Sequence, residues 1–196
     1  MTDKADLSRR HFLTAATAVT GGVGLVAATV PFVASFRPSA RAQALGAPVE
    51  VDISKVEPGA LLRVEWRGRV IMIVHRTAEM LGQLVTIEDD LADPTSVESE
   101  QPSNVDARHR SLRPEILVVE GVCTHLGCVP TPRFEVAPAD LGPDWHGGFY
   151  CPCHGSKFDL AGRVYSGFPA PTNLRVPPYS FVTEDVVLIG TDLGVT

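Results

Sequence analysis

Two short stretches constrain this chain more than anything else in it: Cys123-Thr124-His125-Leu126-Gly127-Cys128 and Cys151-Pro152-Cys153-His154-Gly155-Ser156. The chain has 4 cysteines, and all of them lie in these two stretches. Each stretch offers one cysteine and one histidine at ligand spacing, Cys123 with His125 and Cys151 with His154, and holds one further cysteine. Two thiolates and two imidazoles on separate loops suit a [2Fe–2S] cluster with sulfur ligands on one iron and nitrogen ligands on the other. With neutral imidazoles the oxidised cluster is formally uncharged, whereas a cluster with four cysteine ligands carries two more negative charges. It therefore accepts an electron more readily, at about −150 to +300 mV against about −400 mV for plant-type ferredoxins. Tetrahedral zinc uses the same donor types and is the rival reading. The pairs here are Cys-x-His and Cys-x-x-His rather than spaced cysteine pairs, and zinc leaves Cys128 and Cys153 unexplained. A thioredoxin-like dithiol fits poorly, because Cys151 and Cys153 are separated by Pro152 alone. Gly127 and Gly155 fall where a tight turn brings backbone N–H groups close to sulfur.

The N-terminal end places this chemistry. Ser8-Arg9-Arg10-His11-Phe12-Leu13 resembles the twin-arginine export signal and opens an uncharged run from Phe12 to Phe36. A helix over 12–36 reaches about 37 Å, enough to cross a hydrocarbon core of about 30 Å with tilt. Lys4, Arg9 and Arg10 put residues 1–11 on the cytoplasmic side. Ala42-Gln43-Ala44 has the small residues of a cleavage site. Residues 37–48 are rich in Ala, Ser, Gly and Pro, and read as a tether or as a helix that melts and reforms.

Beyond the tether, residues 49–196 read as antiparallel β. The runs Val49–Ile53, Leu61–Trp66, Val70–His75, Ile116–Val119, Phe149–Tyr150, Arg163–Tyr165, Ser180–Thr183 and Val186–Ile189 are β-rich, with a turn at Arg67-Gly68-Arg69. One short helix is expected over 77–84, and a polar stretch from Glu88 to Pro114 reads as a helix-and-loop insertion. The formal net charge is −6; residues 1–41 hold five basic and two acidic groups, which leaves −9 on the remainder. A field of that sign repels nucleic acid. His11, His75, His109 and His146 have no ligand-spaced partner and read as surface or packing residues.

Both ligand motifs, the export motif and the β-rich head together resemble the Rieske iron–sulfur subunits of bacterial ubiquinol–cytochrome c reductase, the cytochrome bc1 complex. The resemblance covers nearly the whole chain. It implies a mainly β fold: an N-terminal transmembrane helix plus an antiparallel Rieske domain, with a cluster-binding subdomain at about 121–171. It implies one [2Fe–2S] cluster per subunit held by Cys123, His125, Cys151 and His154, and a disulfide between Cys128 and Cys153. Ser156 takes the position of a hydroxyl bonded to a bridging sulfide, and Gly167-Phe168-Pro169-Ala170-Pro171 that of a stiff proline loop covering the cluster. Phe158 departs from the family, which commonly has tyrosine there with its hydroxyl on a cysteine sulfur; a lower potential is expected.

In such subunits the histidine at the position of His154 meets ubiquinol at the outer site of cytochrome b. The electron passes to cytochrome c1 as the head swings on its hinge. His154 and His125 are thus the residues at which the reaction is expected, with Leu126 on the docking rim. The resemblance further implies a dimeric complex in the bacterial inner membrane, with the head in the periplasm, where a disulfide persists. Two other functions stand beside this one. The small Rieske subunit of a periplasmic arsenite oxidase also has an export signal, and a zinc-stabilised interaction domain would have no redox role.

Overall fold

The computed structural model describes residues 2–191, and the chain divides into two compact units between Ala44 and Leu45. The first contains helix α1 (Thr2–Ser35), with Pro31 inside it. Its best window has a mean hydropathy of 1.7 with nothing buried, and among the described residues it is the one helix long and apolar enough to cross a membrane. The hydroxyls of Thr14 and Thr29 donate back to the carbonyls of Arg10 (2.8 Å) and Leu25 (2.7 Å), so these polar groups are satisfied within the helix. The helix starts ten residues before the uncharged run, because charged residues do not stop helix propagation when no breaker intervenes. It ends ahead of Pro38, where the residue preceding proline is driven out of the α region. A short second helix, α2 (Ala40–Leu45), follows, and Ser39 Oγ accepts from Ala42 N at 3.2 Å as its N-cap.

The second unit is built from three antiparallel three-stranded sheets. In the first, β1 (Val49–Asp52) pairs with β9 (Val186–Ile189), which pairs with β8 (Tyr179–Phe181). In the second, β3 (Arg69–His75) lies between β2 (Leu61–Trp66) and β4 (Ile116–Glu120). Ile71 to Val74 and Leu117 to Val119 are fully buried, so these two strands form the floor of the main core. Arg67 (φ 52°) and Gly68 (φ 70°) both have the positive φ of a type I′ hairpin, whose twist matches that of β2 and β3. Trp66 Nε1 donates to Ala47 O at 3.1 Å and ties the entering chain to this hairpin.

The third sheet orders β5 (Thr131–Arg133), β6 (Gly148–Tyr150) and β7 (Lys157–Phe158). The stretch 121–130 connects β4 to β5, and 151–156 connects β6 to β7, so both cysteine–histidine stretches are loops that lead into one small sheet. Sequence reasoning found β6 but neither β5 nor β7, because strands this short carry no alternation and β5 contains Pro132. The expected strand Arg163–Tyr165 is reduced to two isolated bridges, Phe158 to Val164 and Leu91 to Tyr165. The Arg163 side chain is instead folded under the turn that precedes it, with Nε on Asp159 Oδ2 at 2.7 Å.

Helix α3 (Ala78–Thr86) is capped by the Thr77 hydroxyl, which accepts from Met80 N, and runs two residues past the expected end. The insertion carries a single 3-10 turn, Glu88–Asp90, and is otherwise irregular. Buried polar bonds hold it to the core. Asn173 Nδ2 donates to Asp93 O (2.9 Å) and Ser96 Oγ (3.0 Å), while Arg110 Nη1 donates to Ala161 O at 3.2 Å.

Candidate metal centre

The two ligand loops are folded alike. In the first, Cys123 N donates to Cys128 O (2.8 Å) and Gly127 N to Cys123 O (2.9 Å). In the second, Cys151 N donates to Ser156 O (2.8 Å) and Gly155 N to Cys151 O (2.9 Å). Gly127 and Gly155 close the turns at φ +83° and +80°, where a side chain would cost about 1–2 kcal/mol. Matching turns put Cys123 and Cys151 in the first position, both buried at 3% and 2% exposure. The fourth position is Leu126 in one loop and His154 in the other, and both are exposed. The third is His125, half-buried, and Cys153. The loops thus share a backbone while their histidines occupy different places on it, third in one and fourth in the other.

The loops meet. The His125 and His154 rings are edge-to-face with centroids 4.7 Å apart. The Cys123 thiol, which burial pushes up in pKa, lies against the Cys151 thiol and the Ser156 hydroxyl. Cys128 and Cys153 form a disulfide across the two loops, and Cys123 and Cys151 remain free. The sulfurs of Cys128, Cys151 and Cys153 lie within 4.8 Å of one another, but the disulfide withdraws two of them from coordination. The donors left are two thiols and two imidazoles. His125 Nδ1 is buried and has no hydrogen-bond partner, which is costly unless something else takes its lone pair. These residues fit a cluster with two sulfur and two nitrogen ligands.

The loop Gly167-Phe168-Pro169-Ala170-Pro171 leans on both others. Ala170 N donates to Ser156 Oγ at 3.1 Å, and Thr124 Oγ1 donates to Thr172 O at 2.7 Å. Sequence reasoning placed this loop but missed Thr124, whose partner lies 48 residues away.

The family model for the Rieske [2Fe–2S] domain matches residues 49–179, well over half of the chain. The chain belongs to the Rieske family. A second model, described as the ubiquinol–cytochrome c reductase Fe–S subunit TAT signal, matches residues 1–39. The chain is 58% identical over 186 residues to the ubiquinol–cytochrome c reductase iron–sulfur subunit of Allochromatium vinosum, covering 95% of this chain and 90% of that one. It is 44% identical to the subunit of the same name from Blastochloris viridis, over 98% of both chains. With the Bradyrhizobium diazoefficiens subunit the identity is 42%, over 93% and 94%. The cofactor of this Rieske head is a [2Fe–2S] cluster.

Behind the centre, sequence reasoning missed a set of buried charges. Asp159 and Arg163 are both fully buried and paired at 2.7 Å. Arg76 donates to Leu160 O (3.1 Å) and Ser111 Oγ (2.7 Å), and Arg110 to the carbonyls of Ala161 and Gly162. Burial lowers the pKa of Arg76 and of Arg110 to about 10, with the Asp159 carboxylate opposing the shift. These groups grip the turn at 159–163, directly after β7. No spacing signal announces them, since Arg76 and Arg110 reach carbonyls 84 and 51 residues away. The other histidines pack as expected: His75 Nδ1 lies 2.7 Å from Val56 O, and His146 Nδ1 lies 2.8 Å from Gln83 Oε1.

The disulfide closes a loop across a separation of 25 residues, and removing it frees the unfolded chain. A Cys128→Ser/Cys153→Ser double variant is expected to lose about 3 kcal/mol of head stability. Its visible cluster absorbance should also bleach sooner on heating. Replacing both cysteines avoids leaving a new thiol beside Cys151. A urea midpoint equal to that of the parent would show that the cluster alone holds the loops together.

Proposed function

We propose that the chain is the iron–sulfur subunit of a quinol–cytochrome c oxidoreductase. It accepts an electron from ubiquinol at the outer site of cytochrome b and delivers it to cytochrome c1, contributing to proton translocation. The observation that carries this reading is 58% identity, over 95% of the chain, to a subunit of that name. When bound, the [2Fe–2S] cluster supplies a one-electron acceptor in the range of about −150 to +300 mV.

The chain's own residues do the rest. Cys123 and Cys151 would hold the cluster from buried positions, and His125 would join them through Nδ1, the atom that lacks a protein partner. His154, at the exposed fourth position of its loop, would complete the set. Its remaining ring nitrogen faces outward, hydrogen-bonds the quinol hydroxyl and takes up the proton. Ser156 directs its hydroxyl toward the sulfur side, where it stabilises added negative charge. Leu126, 69% exposed, and Val129, 47% exposed, give an apolar rim around the histidines that suits a quinone pocket.

The anchor is the segment 12–36, with residues 1–11 in the cytoplasm and the head, 49–196, in the periplasm. The complex is a dimer in the bacterial inner membrane. Residues 37–48 form the hinge, and the six-residue α2 is too short to be stable alone, so it can melt and reform as the head moves. The subdomain at 121–171 carries the centre.

The test is complementation. Membranes lacking the subunit should regain quinol–cytochrome c reductase activity when this chain is supplied, with an anisotropic low-temperature EPR signal of low average g in the reduced state. Restored signal without restored activity would refute the respiratory role. A colourless, zinc-containing protein would refute the cluster.

Phe158 is fully buried in the same apolar cluster as Cys123 and Cys151, and it offers sulfur no donor. Phe158→Tyr is expected to raise the midpoint potential. One added hydrogen bond of about 1 kcal/mol corresponds to about 40 mV for one electron. Redox titration followed by EPR measures it, and an unchanged potential would remove the hydroxyl argument.

A further inference from the structure

A groove of about 670 Å³ lies on the head away from the ligand loops, between the β2–β3 hairpin, residues 99–102 in the middle of the insertion and the segment before β8. Trp66, Arg67, Arg69 and Arg175 line it, with Glu100 and Glu120. Three arginines converge on one groove of a unit whose net charge is strongly negative. Arg69 is held by the buried Glu120 at 2.5 Å, and Arg175 by the exposed Glu100 at 2.5 Å. The two arginine side chains remain 47% and 42% exposed, with guanidinium donors left over for a second acceptor. The Arg67 guanidinium lies 4.3 Å over the Trp66 ring, a stack that fixes its plane without neutralising its charge. Planar, oriented guanidiniums match the oxygens of a phosphate.

The position of the groove in the chain says which phosphate. Trp66 is bonded to Ala47, so the groove adjoins the point where the tether enters the head. Helix α1 ends at Ser35, and with α2 formed the intervening chain spans at most about 30 Å. A chain of that length lets these arginines reach a bilayer surface, and within about 10 Å of it anionic headgroups attract each of them.

We propose that this groove binds the phosphate headgroup of an anionic phospholipid and so parks the head on the membrane surface between its excursions. The proposal rests on the membrane-anchored reading of α1. Full-length protein with its cluster would be placed in nanodiscs of phosphatidylcholine alone or with added phosphatidylglycerol, and amide hydrogen exchange followed by mass spectrometry. The anionic discs should slow exchange at Arg67, Gly68 and Arg175 about tenfold. Arg67→Gln and Arg175→Gln should each reduce that protection about fivefold, with the cluster's EPR signal unchanged. High salt should abolish it. Equal exchange in both kinds of disc overturns the proposal, as does equal protection by millimolar glycerol phosphate in neutral discs, which would make this a site for a soluble phosphate. A chain that fails to co-elute with discs of either composition overturns the anchoring, and the proposal with it.

Discussion

A His154→Ala variant is expected to fold with its disulfide intact and to contain no [2Fe–2S] cluster. The head does not depend on the cluster for its core, since β3 and β4 are buried against their own neighbours. The loops are also held without iron, by the Cys128–Cys153 disulfide and by the bonds from Thr124 and Ala170. What the substitution removes is one nitrogen donor at an exposed position, leaving an iron open to water and to loss. The matching control is Leu126→Ala. Leu126 holds the same fourth place in the sister turn and is likewise exposed, so truncation there tests for loop damage without ligand loss. Iron content and low-temperature EPR read the result. Absent signal in His154→Ala with a normal signal in Leu126→Ala is the expected pair. A full signal in His154→Ala would mean that another residue completes the site.

Asp159→Ala is expected to bring the second large effect, on stability. Asp159 accepts from the backbone of Ala161 (2.8 Å) and Arg163 (2.7 Å) and from Arg163 Nε (2.7 Å), all out of contact with water. Arg76 and Arg110 stand nearby, each 2% exposed or less and each with one nitrogen already lacking a partner. Removing the carboxylate leaves buried positive charge uncompensated, which costs about 3–5 kcal/mol. For a head of this size that lowers the melting temperature by about 10 °C. Because the turn at 159–163 backs onto β7 and the second ligand loop, cluster absorbance should bleach in the same transition. Thermal and urea unfolding of the whole chain measure it. A loss below about 1 kcal/mol would show that water enters and hydrates the arginines.

The candidate ligand set was legible because metal chemistry imposes residue types at fixed short spacings. Two Cys–His pairs with two spare cysteines admit few readings, and the long apolar run after a twin-arginine motif admits few others. The main strands were legible too, since β2, β3 and β4 are long enough to show their composition. Strands β5 and β7 were not, although they carry both ligand loops, because three and two residues have no period to detect. Their pairing with β6 is set by the partner strand rather than by their own preference.

Sequence alone determined which residues are the candidate ligands, that the chain opens on a long apolar segment, and that the head is β-rich. Local chemistry carries that information: a thiol, an imidazole or a run of valines means the same before and after folding. Only tertiary structure decided that the two loops share one turn, so that one histidine is half-buried and the other exposed. It likewise decided that Arg76, Arg110 and Arg163 surround one turn, and that three arginines line one groove of the head. Those arrangements join residues tens of positions apart. A charged side chain in isolation prefers water, so its burial depends on partners that only the folded chain brings within reach.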